Sequence, residues 1–173
     1  ADLRRPENVG KAVTEVRELE AKFRMSDLWP DAPRVDVRSN ASFFRSRVRG
    51  VSGPDNRLDQ QPDYTANVGL DYRVPGLPLT LGGNLNWTPG YLTRLSDVQT
   101  ATIGRKLGAD AYGLWTFSPT LALRVTASNL AAADYVYGST VDGPDFQGVP
   151  VREGSRTTAP TFVNLQMRLE MKL

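Results

Sequence analysis

The run Thr161-Phe162-Val163-Asn164-Leu165-Gln166-Met167-Arg168-Leu169-Glu170-Met171-Lys172-Leu173 decides the fold. Its odd positions are Thr161, Val163, Leu165, Met167, Leu169, Met171 and Leu173. Its even positions are Phe162, Asn164, Gln166, Arg168, Glu170 and Lys172. Side chains of an extended chain alternate between two faces, so a strand here carries one apolar and one charged face, with Phe162 the exception. Wound into a helix, the same residues scatter their apolar groups around the axis. The segment is therefore read as a strand.

Six further runs obey the same period. Residues 16–25 set Leu19, Ala21, Phe23 and Met25 against Glu18, Glu20, Lys22 and Arg24. Residues 35–48 set Val35, Val37, Ala41 and Phe43 against Asp36, Arg38, Asn40 and Ser42. In 63–73, Tyr64, Ala66, Val68, Leu70 and Tyr72 oppose Asp63, Thr65, Asn67, Asp71 and Arg73. The runs 79–88, 105–117 and 121–129 repeat the pattern. Ser118-Pro119-Thr120 and Val74-Pro75-Gly76-Leu77-Pro78 join neighbours tightly, and Ser26 to Pro33 is somewhat longer. The remaining connections, 49–62, 89–104 and 130–160, are read as long loops rich in Gly, Pro, Asp, Asn and Ser.

Alternation alone also fits a soluble sandwich, whose strands are apolar on one side. Three features favour a membrane barrel. The runs reach the ~9–11 residues that a tilted membrane strand needs, whereas ordinary strands average about 5–6. Connections alternate short and long, as between the periplasmic and outer ends of such barrels. Aromatic residues stand towards strand ends: Phe23, Tyr72, Trp115 and Phe117 near the short turns, and Phe43, Tyr64 and Trp87 near the long loops. Rings prefer the headgroup boundary, with aliphatic residues between. The expected fold is all-β: about seven strands of an antiparallel, up-and-down transmembrane β-barrel, incomplete, with residues 1–173 as one domain.

Composition narrows the chemistry. Cysteine and histidine are absent, which removes thiolate nucleophiles, disulfides, zinc–cysteine sites and histidine bases. Twenty-one basic against 19 acidic side chains make a balance too even for nucleic-acid binding by bulk charge. No apolar stretch is long enough for a membrane helix. Ala1 is not an initiator methionine and no signal segment precedes the strands. The chain is accordingly expected to be processed or part of something longer. Seven strands also leave two edges unpaired, which lipid does not tolerate. A missed strand within 1–12 or 138–158 is the alternative, giving a complete small structural or adhesive barrel.

Several motifs resemble one family. Val125-Thr126-Ala127-Ser128-Asn129-Leu130, continuing to Ala133-Asp134-Tyr135, resembles the end of the penultimate strand of TonB-dependent outer-membrane receptors. Gln61-Pro62-Asp63-Tyr64-Thr65-Ala66-Asn67 is similar to a loop-to-strand entry of that family. Asn8-Val9-Gly10-Lys11-Ala12, followed by Glu18-Leu19-Glu20, resembles its Asn-x-Gly-x-Ala element before a Gly-x-Glu-x-Glu strand, with Arg17 where glycine is common. The resemblance implies a C-terminal portion of a barrel of about 22 strands, a plug domain inside it, and location in the bacterial outer membrane. It implies uptake of a small-molecule substrate such as a metal–siderophore complex, powered through the TonB complex. No plug and no TonB box are found here, and the chain ends in Leu173 where an aromatic is usual.

Candidate residues follow from location and type. Tyr91, Arg94, Tyr135, Tyr137 and Arg152 are expected ligand contacts in the long loops, since aromatic and arginine side chains make strong anchors. Arg45, Arg47 and Arg49 continue the lipid-facing side above Phe43, at the height of lipopolysaccharide phosphates, which arginine binds bidentately. Glu18 and Glu20 are read as lining a wet lumen opposite Lys22 and Arg24. Gly82-Gly83 is read as a bulge or a close backbone approach. No catalytic residue, metal ligand or cofactor is expected, and no enzymatic role.

Overall fold

The computed structural model describes residues 10–145 and 147–172. Every sheet ladder is antiparallel. In chain order the elements are β1 (Ala12–Arg24), a one-turn helix α1 (Met25–Leu28), β2 (Val35–Val48), β3 (Tyr64–Arg73) and β4 (Leu79–Thr88). Then come β5 (Tyr91–Arg94), β6 (Gln99–Ile103), β7 (Lys106–Ser118), β8 (Leu121–Ser128), β9 (Tyr135–Pro144), β10 (Pro150–Ala159) and β11 (Asn164–Met171). One sheet orders β1-β2-β3-β4-β7-β8-β11 and a second orders β10-β9-β6-β5. Among the described residues neither closes into a barrel.

The seven-stranded sheet keeps the faces expected from alternation. Phe23, Val37, Leu70, Gly83, Ala111, Ala127 and Leu165 form one row across all seven strands. The adjacent row is Arg24, Asp36, Asp71, Gly82, Tyr112, Thr126 and Gln166. Register holds because a one-residue slip would exchange these faces. The apolar face is open: Leu165 is 74% and Met167 71% exposed, and Leu19, Leu81, Leu85, Val125 and Leu169 are exposed as well. Leu123 is half-buried. Among the described residues no element packs across this face, so the arrangement is not a sandwich.

The opposite face carries linked polar side chains. Asp71 accepts from Arg38 and from the Tyr112 hydroxyl. The Arg124 guanidinium stacks on the Tyr112 ring at 4.9 Å, and its Nε donates to Glu170 at 3.0 Å. Glu20 pairs with Lys22 at 2.6 Å, while Glu18 lies opposite Ser42. Exposed pairs of this kind contribute about 0–1 kcal/mol each in water. They order the face more than they hold it together.

Two turns have visible causes. Gly76 adopts φ +76°, which a side chain disfavours, and reverses the chain between β3 and β4. Asn129, at φ 56°, ends β8. Its backbone N–H donates to Asp110 at 2.8 Å and its side-chain amide to the Phe162 carbonyl at 2.9 Å. Leu130 N–H reaches Ala109 O. The Asn-Leu pair thus fastens β7, β8 and the approach to β11.

The long loops are the main correction. Residues 89–104 and 130–160 are not irregular: they contain β5, β6, β9 and β10. Thr, Val and Ile recur there, and such β-branched residues favour a pleated surface. The region 138–158 does hold extended chain, but in the second sheet, so among the described residues no eighth strand joins the first. Residues 1–9, including Asn8 and Val9 of the motif above, lie outside the described residues. Buried side chains collect at this loop end: Val48, Val51, Tyr91, Thr93, Ala101 and Ile103.

Candidate functional site

The second sheet prolongs the first. β5 and β6 connect β4 to β7, and β9 and β10 connect β8 to β11. Pairing of β6 with β9 joins the two hairpins. Tyr91, Ile103, Tyr137 and Thr157 fall in one row, and Tyr135 lies two residues along β9 on the same face. These tyrosines border a hollow of about 460 Å³, completed by Asp59 and Lys106. The Lys106 ammonium stands 5.8 Å from the Tyr135 ring centroid, a cation–π contact. Tyr91 is nearly buried, whereas Tyr135 and Tyr137 are about half exposed. Burial, with the Asp59 carboxylate nearby, raises the Tyr91 phenol above its ordinary range.

The structure brings together three of the five expected ligand contacts, Tyr91, Tyr135 and Tyr137. Arg94 and Arg152 do not line the hollow. Arg94 fastens the β2–β3 connection instead: its N–H donates to Asp55 O at 2.8 Å, and its guanidinium to Gly53 O and Asp97 O. Arg152 donates twice to Asp142, the longer bond being 2.9 Å, and holds that carboxyl below the usual carboxylate range. The fork geometry of guanidinium explains both diversions, because a nearby carbonyl or carboxylate satisfies several donors at once.

The β2–β3 connection packs over β5 and β6. Val51 joins the buried set, and Asp97 accepts the Ser52 backbone N–H at 3.0 Å. Hydrogen bonds from Ser52, hydroxyl first, lower the Asp97 pKa. Thr93 is fully buried with an unpartnered hydroxyl. The hollow offers stacking surface, one cation and hydrogen-bonding groups, which equips it to hold a ligand. Sequence reasoning missed Lys106 and Asp59 as lining residues. The alternation Thr100-Ala101-Thr102-Ile103 was the available signal for β6, and its register sets the tyrosines beside Lys106.

Arg45 and Arg47 lie in β2, exposed, on the parity of Phe43. Arg49 falls in the turn beyond the strand, also exposed. None of the three has an acidic ion-pair partner among the described residues. No protein-family model, curated protein or solved structure matches the chain.

Proposed function

We propose that the chain is the C-terminal portion of an outer-membrane active-transport receptor of the TonB-dependent kind. In this reading it takes up a scarce nutrient, such as a metal–siderophore complex, with energy delivered through a plug domain and the TonB complex. The observation that carries the reading is the seven-stranded sheet with an uncovered aliphatic face and a charged opposite face. Such a face is unstable against water, where contiguous apolar patches of this extent are rare, and suited to hydrocarbon. The outer edges of β1 and β11 are unpaired among the described residues, and unsatisfied backbone groups in lipid cost several kcal/mol each. Further strands on both sides, as a large receptor provides, remove that cost.

In this arrangement the polar face lines a lumen and the Tyr91–Tyr135–Tyr137 hollow lies at the outer mouth. The test is uptake of radiolabelled ferric siderophore, haem and cobalamin by cells with and without the gene. Loss of one uptake in the deletion strain, and in wild-type cells treated with a protonophore, is expected. Unchanged uptake of every probe refutes the transport reading.

A further inference from the structure

On the apolar side of β1 and β2, the register places Arg17 opposite Phe43, Glu15 opposite Arg45, and Val13 opposite Arg47. Phe43 in turn stands opposite Tyr64 of β3, so Arg17, Phe43 and Tyr64 share one row, and in the next row of this face Leu19 stands opposite Ala41. An open groove of about 510 Å³ runs between these levels, with Arg17 and Arg45 at one end and Leu19, Phe43 and Tyr64 along it. The Phe43 and Tyr64 rings tilt against each other, centroids 6.2 Å apart. All five side chains are exposed. The acidic neighbours are accounted for: Glu15 pairs with Arg17 at 2.6 Å, and Asp63 is held by Arg57 at 2.7 Å. Arg17, Arg45 and Arg47 against Glu15 leave a surplus of two positive charges on this part of the face.

We infer that this groove binds a phosphorylated lipid of the outer leaflet, its phosphate on Arg17 and Arg45 and an acyl chain along Leu19, Phe43 and Tyr64. The inference rests on the membrane reading above. Two chemistries adjoin in one groove, and their order along the strands follows that of a lipid: Arg45 one step outside the aromatic row, Arg17 level with Phe43 and Tyr64, and the aliphatic Leu19 level on the other side of that row. Guanidinium forms paired charge-assisted bonds to phosphate oxygens. A free anion would have no use for the apolar floor. Arg17 carries the site together with Arg45, Arg47 stands one step further out, and Arg49 lies beyond the strand. Glu15 competes with phosphate for Arg17.

The test uses the full-length protein, refolded in detergent and titrated with diphosphoryl lipid A or with its dephosphorylated form, bound lipid being counted by native mass spectrometry. Wild type should retain the diphosphoryl form preferentially. The R17Q/R45Q double variant should bind it on the order of tenfold more weakly or worse, as loss of charge-assisted hydrogen bonds warrants. Glu15→Gln should bind it more tightly. Circular dichroism reports whether each variant keeps its β-structure. Equal binding of diphosphoryl lipid A by wild type and a folded R17Q/R45Q overturns the site. So does full displacement of the lipid by inorganic phosphate, which would mark a site for the free anion. Protease protection in phosphatidylcholine vesicles, measured in parallel, reports on the membrane reading itself: protection with no lipid preference refutes the groove alone, and no protection refutes both.

Discussion

Gly82 and Gly83 are adjacent in β4 but face opposite ways, and each is small for a different reason. A Cβ on Gly82 would lie 2.3 Å from the Tyr112 ring and 2.7 Å from Asp71. The ring lies across this glycine, and that position lets its hydroxyl reach Asp71 while Arg124 stacks upon it. On Gly83 a Cβ would meet the backbone oxygen of Asp110 at 2.8 Å. The expectation of close backbone approach holds at Gly83, while Gly82 is closed in by side chains; the alternative of a bulge does not hold, since both ladders of β4 run unbroken through the pair and the irregularity is at Thr116/Ser118. Gly82→Ala should displace the ring and Gly83→Ala should part β4 from β7, each costing about 1–3 kcal/mol. Gly108→Ala is the control, because its nearest neighbour is the Asn86 side chain at 3.7 Å, and it should fall within about 0.5 kcal/mol of wild type. Urea midpoints of the intact protein in detergent measure all three. Equal midpoints for the three variants would show that neither contact constrains the sheet. The glycines were conspicuous in the sequence, but which ring lay on which of them depended on cross-strand register.

At the scale of elements, the seven runs of the first sheet were legible because each alternates over about eight or more residues with few exceptions, Phe162 among them. Observed strand bounds depart from the sequence reading by only a few residues, most at the start of β1 and of β11. The second sheet was obscured because its strands are interrupted by Gly138, Gly143, Pro144 and Pro150, residues that ordinarily mark turns. Short β5 and β6 also fall below the length at which alternation stands out. The tyrosines were identifiable by type, yet their meeting required β6 to pair with β9. The loop over that pairing has a titratable clasp in Asp97. Its folded pKa is lowered by Ser52, so the clasp contributes fully above the unfolded value of about 3.9 and is lost as pH falls through the lower, folded value. Hydrogen exchange of the Ser52 amide should therefore accelerate as the solution is acidified below about pH 4, after correction for intrinsic exchange. Asp97→Asn should abolish that step. A step that persists in the variant assigns the change to another group.

Among the described residues, the molecule as a whole shows only a small buried cluster rather than an extended core. Its buried side chains collect by the β2–β3 connection, and among the described residues the main sheet presents aliphatic rows on one side and two unpaired edges. A chain so built gains little from folding in water, where hydrophobic burial is the chief favourable term. Expressed alone, residues 1–173 should aggregate or fail to insert as a monomer. A detergent-solubilised monomer of this chain with cooperative, heat-modifiable mobility on gels would count against the proposed function and favour a small self-sufficient barrel. The β6–β9 ladder, finally, bears on the order of folding. Ladders such as β1–β2 and β7–β8 close short connections and can zip as local hairpins within microseconds. The β6–β9 pairing joins residues about forty apart and gains its alignment only after β7 and β8 have formed. Loop-closure entropy delays such a contact until the intervening hairpin has shortened the path. The upper sheet is then the late event in assembly, and the tyrosine hollow comes into being after the wall that carries it.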